Sequence, residues 1–138
     1  GGSSILMNNN IFVNAGTPGS SGKSVAFWKT ADGFANINAA TDRTIYHAGT
    51  PGTQNLVCWT PSASYQIHDD YKAATVTSDQ NSFTEEVPFV SATDLHITPG
   101  AATQAESNGI AIAGISTDYD EDLRAGETGY AGTGTAPA

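Results

Sequence analysis

Apolar residues never run far in this chain. They come in bursts of three to seven: SILM (4–7), NIFVN (10–14), SVAFW (24–28), FANIN (34–38), RTIYH (43–47), NLVCWT (55–60), YQIH (65–68), ATVT (74–77), PFV (88–90), DLHIT (94–98) and GIAIAGI (109–115). Gly, Pro, Asn, Asp or Ser punctuate the gaps, several bursts alternate, and this is the pattern of short strands joined by turns. Only PGAATQAESNG (99–109) has the composition for a helical turn, with Gly109 placed to end it. The residue supply agrees: nine Ile stand against four Leu, beside seventeen Thr and fifteen Gly, so β-branched and turn-forming residues outnumber helix formers. With 138 residues the chain is long enough for one hydrophobic unit and short for two.

Two all-β architectures compete. A β-sandwich favours tight Asn-Gly and Asp-Gly hairpins between alternating runs, and only Asp32-Gly33 and Asn108-Gly109 are present. Longer loops such as AGTPGSSGKS (15–24) and AGTPGTQN (48–55) separate the other bursts. Such wide connections suit a solenoid, in which each coil gives short strands to separate parallel sheets. NAGTPGS (14–20) and HAGTPGT (47–53) form a near repeat 33 residues apart, within the span of about 20–45 residues of one structural repeat. Asn8, Asn9, Asn10, Asn14, Asn36, Asn38 and Asn55 border the bursts; an amide that tolerates left-handed backbone and bonds nearby peptides is suited to turning a coil. The expected fold is therefore all-β, a right-handed parallel β-helix fragment with a β-sandwich as the alternative. Residues 1–92 would supply the coils, and 93–138 the terminal coil and closing loop of the same domain.

A formal charge of −9 with five Lys plus Arg excludes the basic footprint that nucleic acid requires, and anionic membrane surfaces would repel the chain. No stretch approaches the roughly 20 apolar residues of a membrane span. The weakly charged surface, rich in Thr, Ser, Asn and Gly, suits an extracellular protein that meets neutral glycans. Cys58 stands alone, without a basic neighbour to lower its pKa, and is expected to pack as a small apolar side chain. The Gly1-Gly2 start reads as a fragment or a processed product.

NNNIFVNAG followed by GKSVAFW resembles the Asn-bounded coils of bacterial right-handed parallel β-helix proteins, a secreted and surface group related to pectate-lyase-like folds. Residues 89–130 resemble the closing segment of such proteins in Bacteroidetes-type bacteria. Asp94, Leu95, His96, Ile97, Pro99 and Gly100 match its first motif, and Asp118, Asp120, Asp122 and Arg124 its second. Glu121 and Leu123 depart from that second motif. The resemblance implies a cell-surface or secreted location and neighbouring domains of a longer chain, or other copies of the chain, covering open coil ends.

Asp118, Asp120 and Asp122 alternate with Tyr119 and Glu121, so in an extended segment their carboxylates share one side, a candidate Ca²⁺ site. No EF-hand spacing is present: Leu123 falls where the turn Gly would be and Gly129 where the Glu would be. The competing reading has Arg124 pairing with these Asp side chains. IHDDYK (67–72) gathers His68, Asp69, Asp70 and Lys72, and reads as a solvated turn rather than an acid–base site. His47, His68 and His96 share no metal-ligand spacing. Trp28 and Trp59 are expected in the core, while Tyr65 and Tyr71, in polar context, are the surface rings on which a sugar could stack. No lyase or glycosidase motif stands out. The chain is thus expected to be a structural or adhesive module of a bacterial surface or secreted protein, with glycan binding as a candidate role. The alternatives are a fragment of a polysaccharide lyase or glycoside hydrolase of the same fold, and a self-assembling fibre subunit.

Overall fold

A computed structural model describes residues 3–106, 108–124 and 127–130. The chain divides into two compact units, Gly1–Glu86 and Val87–Ala138. It is β-rich with little helix, and its sheets are small.

In the first unit the strands are β1 (Ile11–Val13), β2 (Ser24–Trp28), β3 (Ile45–His47), β4 (Asn55–Trp59) and β5 (Ser64–Tyr65), followed by one helix, α1 (His68–Thr75). β1 pairs in parallel with β3, Ile11 lying opposite Ile45, and β2 pairs in parallel with β4, Val25 lying opposite Leu56. Single parallel bridges join Ile5 to Ile37, Asn8 to Asp42 and Ile45 to Phe83. Each pairing joins residues more than thirty positions apart, so the backbone runs over its own earlier course and bonds to it. The near repeat lies in the loops that follow the paired strands β1 and β3. There Gln54 donates from Nε2 to the carbonyls of Gly19 and Gly22, at 2.8 and 3.0 Å, stitching the later loop to the earlier one.

The corner before β1 and β3 explains part of the Asn pattern. The Asn8 side chain accepts from the backbone of Asp42 at 2.9 Å, and the Asp42 carboxylate accepts from the backbone and side-chain amides of Asn81, at 2.7 and 2.6 Å. Three successive passes are thereby tied at one corner. The residues after the first two members, Asn9 and Arg43, have φ of 58° and 59°, left-handed backbone that Asn adopts more readily than Arg.

Tyr46, Val57, Cys58 and Tyr71 form the buried cluster, with Phe12, Ala26, Phe27, Phe34 and Tyr65 packed against it. Helix α1 closes this side. Of YQIH, read as a strand piece, Tyr65 is in β5, but the rest of that reading and that of ATVT are corrected here: His68 to Thr75 is helical, and the buried His68, Tyr71 and Thr75 recur at spacings of three and four. Asp69 and Asp70 occupy the first turn, where the helix dipole favours negative charge. The helix ends at Val76, whose φ of 65° and ψ of −45° go with a 2.7 Å bond from Thr77 N–H to the Thr75 carbonyl, a γ-turn that a β-branched residue rarely adopts.

Behind the rings lies Asp79, with no solvent exposure. Its Oδ1 accepts from the Tyr46 hydroxyl at 3.0 Å and the Ser82 hydroxyl at 2.7 Å, and its Oδ2 accepts from the Tyr71 hydroxyl at 2.8 Å. Burial, reinforced by the neighbouring charge, pushes both phenols well above their ordinary range, so they remain donors.

In the second unit, two antiparallel bridges, Phe89 with Ile97 and Thr117 with Leu123, close two tight loops. GIAIAGI (109–115), read as a strand from its alternation, forms none; Ile110, Ile112 and Ile115 are exposed. PGAATQAESNG holds a turn at 104–106 and no helix among its described residues.

Removing Asp79 would strand three buried hydroxyls at once. Asp79→Ala is expected to lower the unfolding free energy by about 3–5 kcal/mol, and Tyr71→Phe by about 1–2 kcal/mol, in urea titrations followed by far-UV circular dichroism. Equal stability of Asp79→Ala and wild type would show that the network holds nothing together.

Candidate aromatic binding site

β2 and β4 are in parallel register, with Phe27 opposite Cys58 and Trp28 opposite Trp59. Adjacent residues of a strand face opposite sides. Phe27 and Cys58 pack in or against the core, and at the strand ends beyond them Trp28 and Trp59 turn to the other side. Contrary to the sequence expectation of core tryptophans, Trp28 is 63% exposed and Trp59 is half-buried. Their rings stack with centroids 5.8 Å apart and planes 20° from parallel. Strands spaced about 4.8 Å apart bring matched side chains to this separation without distortion.

The surroundings hold the pair. Lys29 N–H donates to the Trp59 carbonyl at 2.9 Å, fixing the register at the strand ends. The Lys23 ammonium lies 5.4 Å from the Trp59 ring centroid and donates to the Thr53 carbonyl at 3.4 Å. A cation over an indole face at an exposed site contributes about 0.5–1 kcal/mol. Asp32, in the loop after β2, accepts from the Ser62 backbone at 3.0 Å, in the loop after β4. Bonds from the Ser62 side chain and backbone, and from Thr60, hold its carboxyl below the usual range. Two loops are thus pinned beside a flat aromatic surface.

The rings expected to bind are placed differently. Tyr71 is fully buried, its hydroxyl spent on Asp79, and it offers no face to solvent; its polar neighbours in sequence lie on the outer side of α1. Tyr65 is half-buried, its ring 5.8 Å from Phe34 and 6.2 Å from Tyr71. Cys58 is buried as expected, and burial pushes its thiol up to about 12, leaving it inert as a nucleophile. His68 is buried, stacked on Tyr46 at 6.1 Å, and its Nε2 has no hydrogen-bond partner among the described residues.

The acidic segment is a turn rather than an extended strand, with Glu121 at φ 68°. Asp118 Oδ1 accepts from the backbones of Asp120 and Asp122, each at 3.0 Å, capping its own loop. Asp120 Oδ2 instead meets His96 Nε2 at 3.0 Å, and His96 Nδ1 meets Asp94 Oδ1. Asp118 and Asp120 thus spend one carboxylate oxygen each on different partners, the loop backbone and His96. No group of three metal-ligating side chains occurs among the described residues. His96, rather than the expected Arg124, meets Asp120: no ion pair involves Arg124 among the described residues, and its backbone N–H donates to the Ser116 carbonyl at 2.9 Å. Asp94, His96 and Asp120, placed by the sequence in two separate motifs, are brought together.

Compared with family models, curated proteins and solved structures, the chain matches none.

The two histidines respond oppositely to pH. Hydrogen bonding to Asp94 and the charge of Asp120 raise His96 above its ordinary 6.5. Its folded value exceeds its unfolded one, so its contribution is complete below 6.5 and is lost as pH rises through the folded value. Burial lowers His68 from 6.5, outweighing the opposing charge of Asp79. The unfolded state then takes up its proton first, and stability falls as pH drops from 6.5 toward the folded value. NMR titration is expected to place the His96 midpoint above 6.5 and the His68 midpoint below it. Asp94→Asn and Asp120→Asn should each lower the His96 midpoint and leave that of His68 unchanged.

Proposed function

We propose that this chain is an adhesive, glycan-binding module of an extracellular or cell-surface protein, built on a parallel β-helix scaffold. The observation that carries the reading is the exposed Trp28–Trp59 stack. Flat apolar faces take the C–H side of pyranose rings, and a platform held by backbone register loses little freedom on binding. The scaffold reading rests on the repeated parallel pairing of residues 31 to 34 positions apart in β1 with β3 and β2 with β4. It also rests on the corner tie from Asn8 through Asp42 to Asn81. A neutral polysaccharide is the favoured ligand, because a chain of net charge −9 repels polyanions at distance while one lysine borders the rings.

Cello- and xylo-oligosaccharides are the probes, with intrinsic tryptophan fluorescence and calorimetry as readouts. Binding is expected to shift the emission, and Trp28→Ala to weaken it about tenfold or more, equivalent to about 1.4 kcal/mol. Tyr65→Phe should leave affinity unchanged. An unchanged affinity in Trp28→Ala would move the site away from the tryptophans, and no response to either sugar series would sink the glycan reading.

A further inference from the structure

We infer that α1 is an acid-released latch: a proton taken up by His68 detaches the helix from the aromatic core and leaves the parallel strands paired. The inference does not depend on glycan binding.

His68 is the first residue of α1 and the first of its three buried ones. The side chain is 7% exposed, its ring 6.1 Å from that of Tyr46 and 6.0 Å from that of Tyr71. Its Nε2 is buried without a hydrogen-bond partner, and no carboxylate forms an ion pair with it among the described residues. A neutral imidazole rests between the two phenol rings at little cost. A second proton would put a charged N–H against them with no acceptor in reach, which is the costly way to bury a polar group. Burial opposes that proton most strongly; Asp79, in the turn after α1, favours it, Lys72 opposes it, and Asp69 and Asp42 favour it. Asp79, the strongest of these charges, already accepts from the hydroxyls of Tyr46, Tyr71 and Ser82.

The helix is held less firmly than the strands. Ile67, at its N-cap, provides no side-chain bond, and the first turn closes through a 3.4 Å bond from Tyr71 N–H to the Ile67 carbonyl. At the other end the chain leaves through Val76 at φ 65°. β3 and β4 are instead each paired along a parallel partner. The Asp79 turn also keeps bonds of its own when Tyr71 withdraws, to the Thr41 carbonyl at 2.7 Å and from the Ser82 hydroxyl at 2.7 Å. Opening follows the weakest-held element, so α1 yields before the sheets. Released into water, His68 titrates at its ordinary 6.5; packed, it titrates lower. From pH 6.5 down to the packed value, each pH unit therefore favours the released helix by up to about tenfold.

Hydrogen exchange of the full chain, followed amide by amide by NMR at about pH 7 and about pH 5 and corrected for the intrinsic pH dependence of exchange, is the test; histidine is the side chain that titrates in this window. Protection of Ala73, Ala74 and Thr75 is expected to fall about tenfold or more at the lower pH, while that of Leu56, Val57 and Cys58 in β4 is kept. His68→Phe fills the same space without a titrating nitrogen and should remove the pH dependence. His47→Gln and His96→Gln should keep it. Near-UV circular dichroism of the aromatic cluster reports whether His68→Phe is folded. If it is not, the other two variants decide, and loss of the pH dependence in either assigns the proton elsewhere. Equal loss of protection in α1 and β4, α1 protection that ignores pH, or a pH dependence that survives in folded His68→Phe would each overturn the inference.

Discussion

A single buried carboxylate organises the first unit. Asp79 draws hydroxyl donors from β3, from α1 and from its own turn, and its backbone N–H donates to the Thr41 carbonyl at 2.7 Å. Without those donors a carboxyl group in this position would be costly to bury. With them it becomes a point at which three separate stretches of chain must agree. The rings it holds are also the rings of the core: Tyr46 and Tyr71 stand with centroids 5.3 Å apart and Phe27 lies against both, so polar satisfaction and apolar packing are achieved by the same side chains. Phe27 held inward is in turn what sends Trp28 outward.

The coarse architecture was readable because it is written in local chemistry. Four of the short bursts between turn formers hold β1 to β4, a fifth reaches into β5, and the loop repeat falls where paired strands end. Which side of a burst faces inward was not readable. Between the polar ends Ser24, Asn55 and Thr60, SVAFW and NLVCWT are apolar throughout, and hydrophobicity cannot separate Phe27 from Trp28 or Cys58 from Trp59. The decision is made by the partner strand and by the rings behind it, both distant in sequence.

Other differences have equally specific causes. Helix α1 is hidden because its eight residues are few, and His68, Asp69, Asp70 and Thr75 among them are weak helix formers; its signal is the spacing of His68, Tyr71 and Thr75. Tyr71 was misplaced because Asp69, Asp70 and Lys72 beside it are polar, and on a helix such neighbours say nothing about the opposite face. Asp79, within the unremarkable stretch TSDQNS, gave no sign of burial. Strand alternation does not describe the acidic loop, because Asp118 caps its own backbone.

The parallel pairing of β1 with β3 and of β2 with β4 also fixes how this unit can be made. Every bond between these strands closes a loop of more than thirty residues, and such closures come late because their entropy is spent before any contact rewards it. The local material, β4 turning back on β5 and then α1, lies at the end of the unit. During synthesis β1 and β2 emerge before β3 and β4, and these pairings must wait for the later strands. Assembly of this unit is therefore expected to run backwards along the chain, from α1 and β4 toward β1.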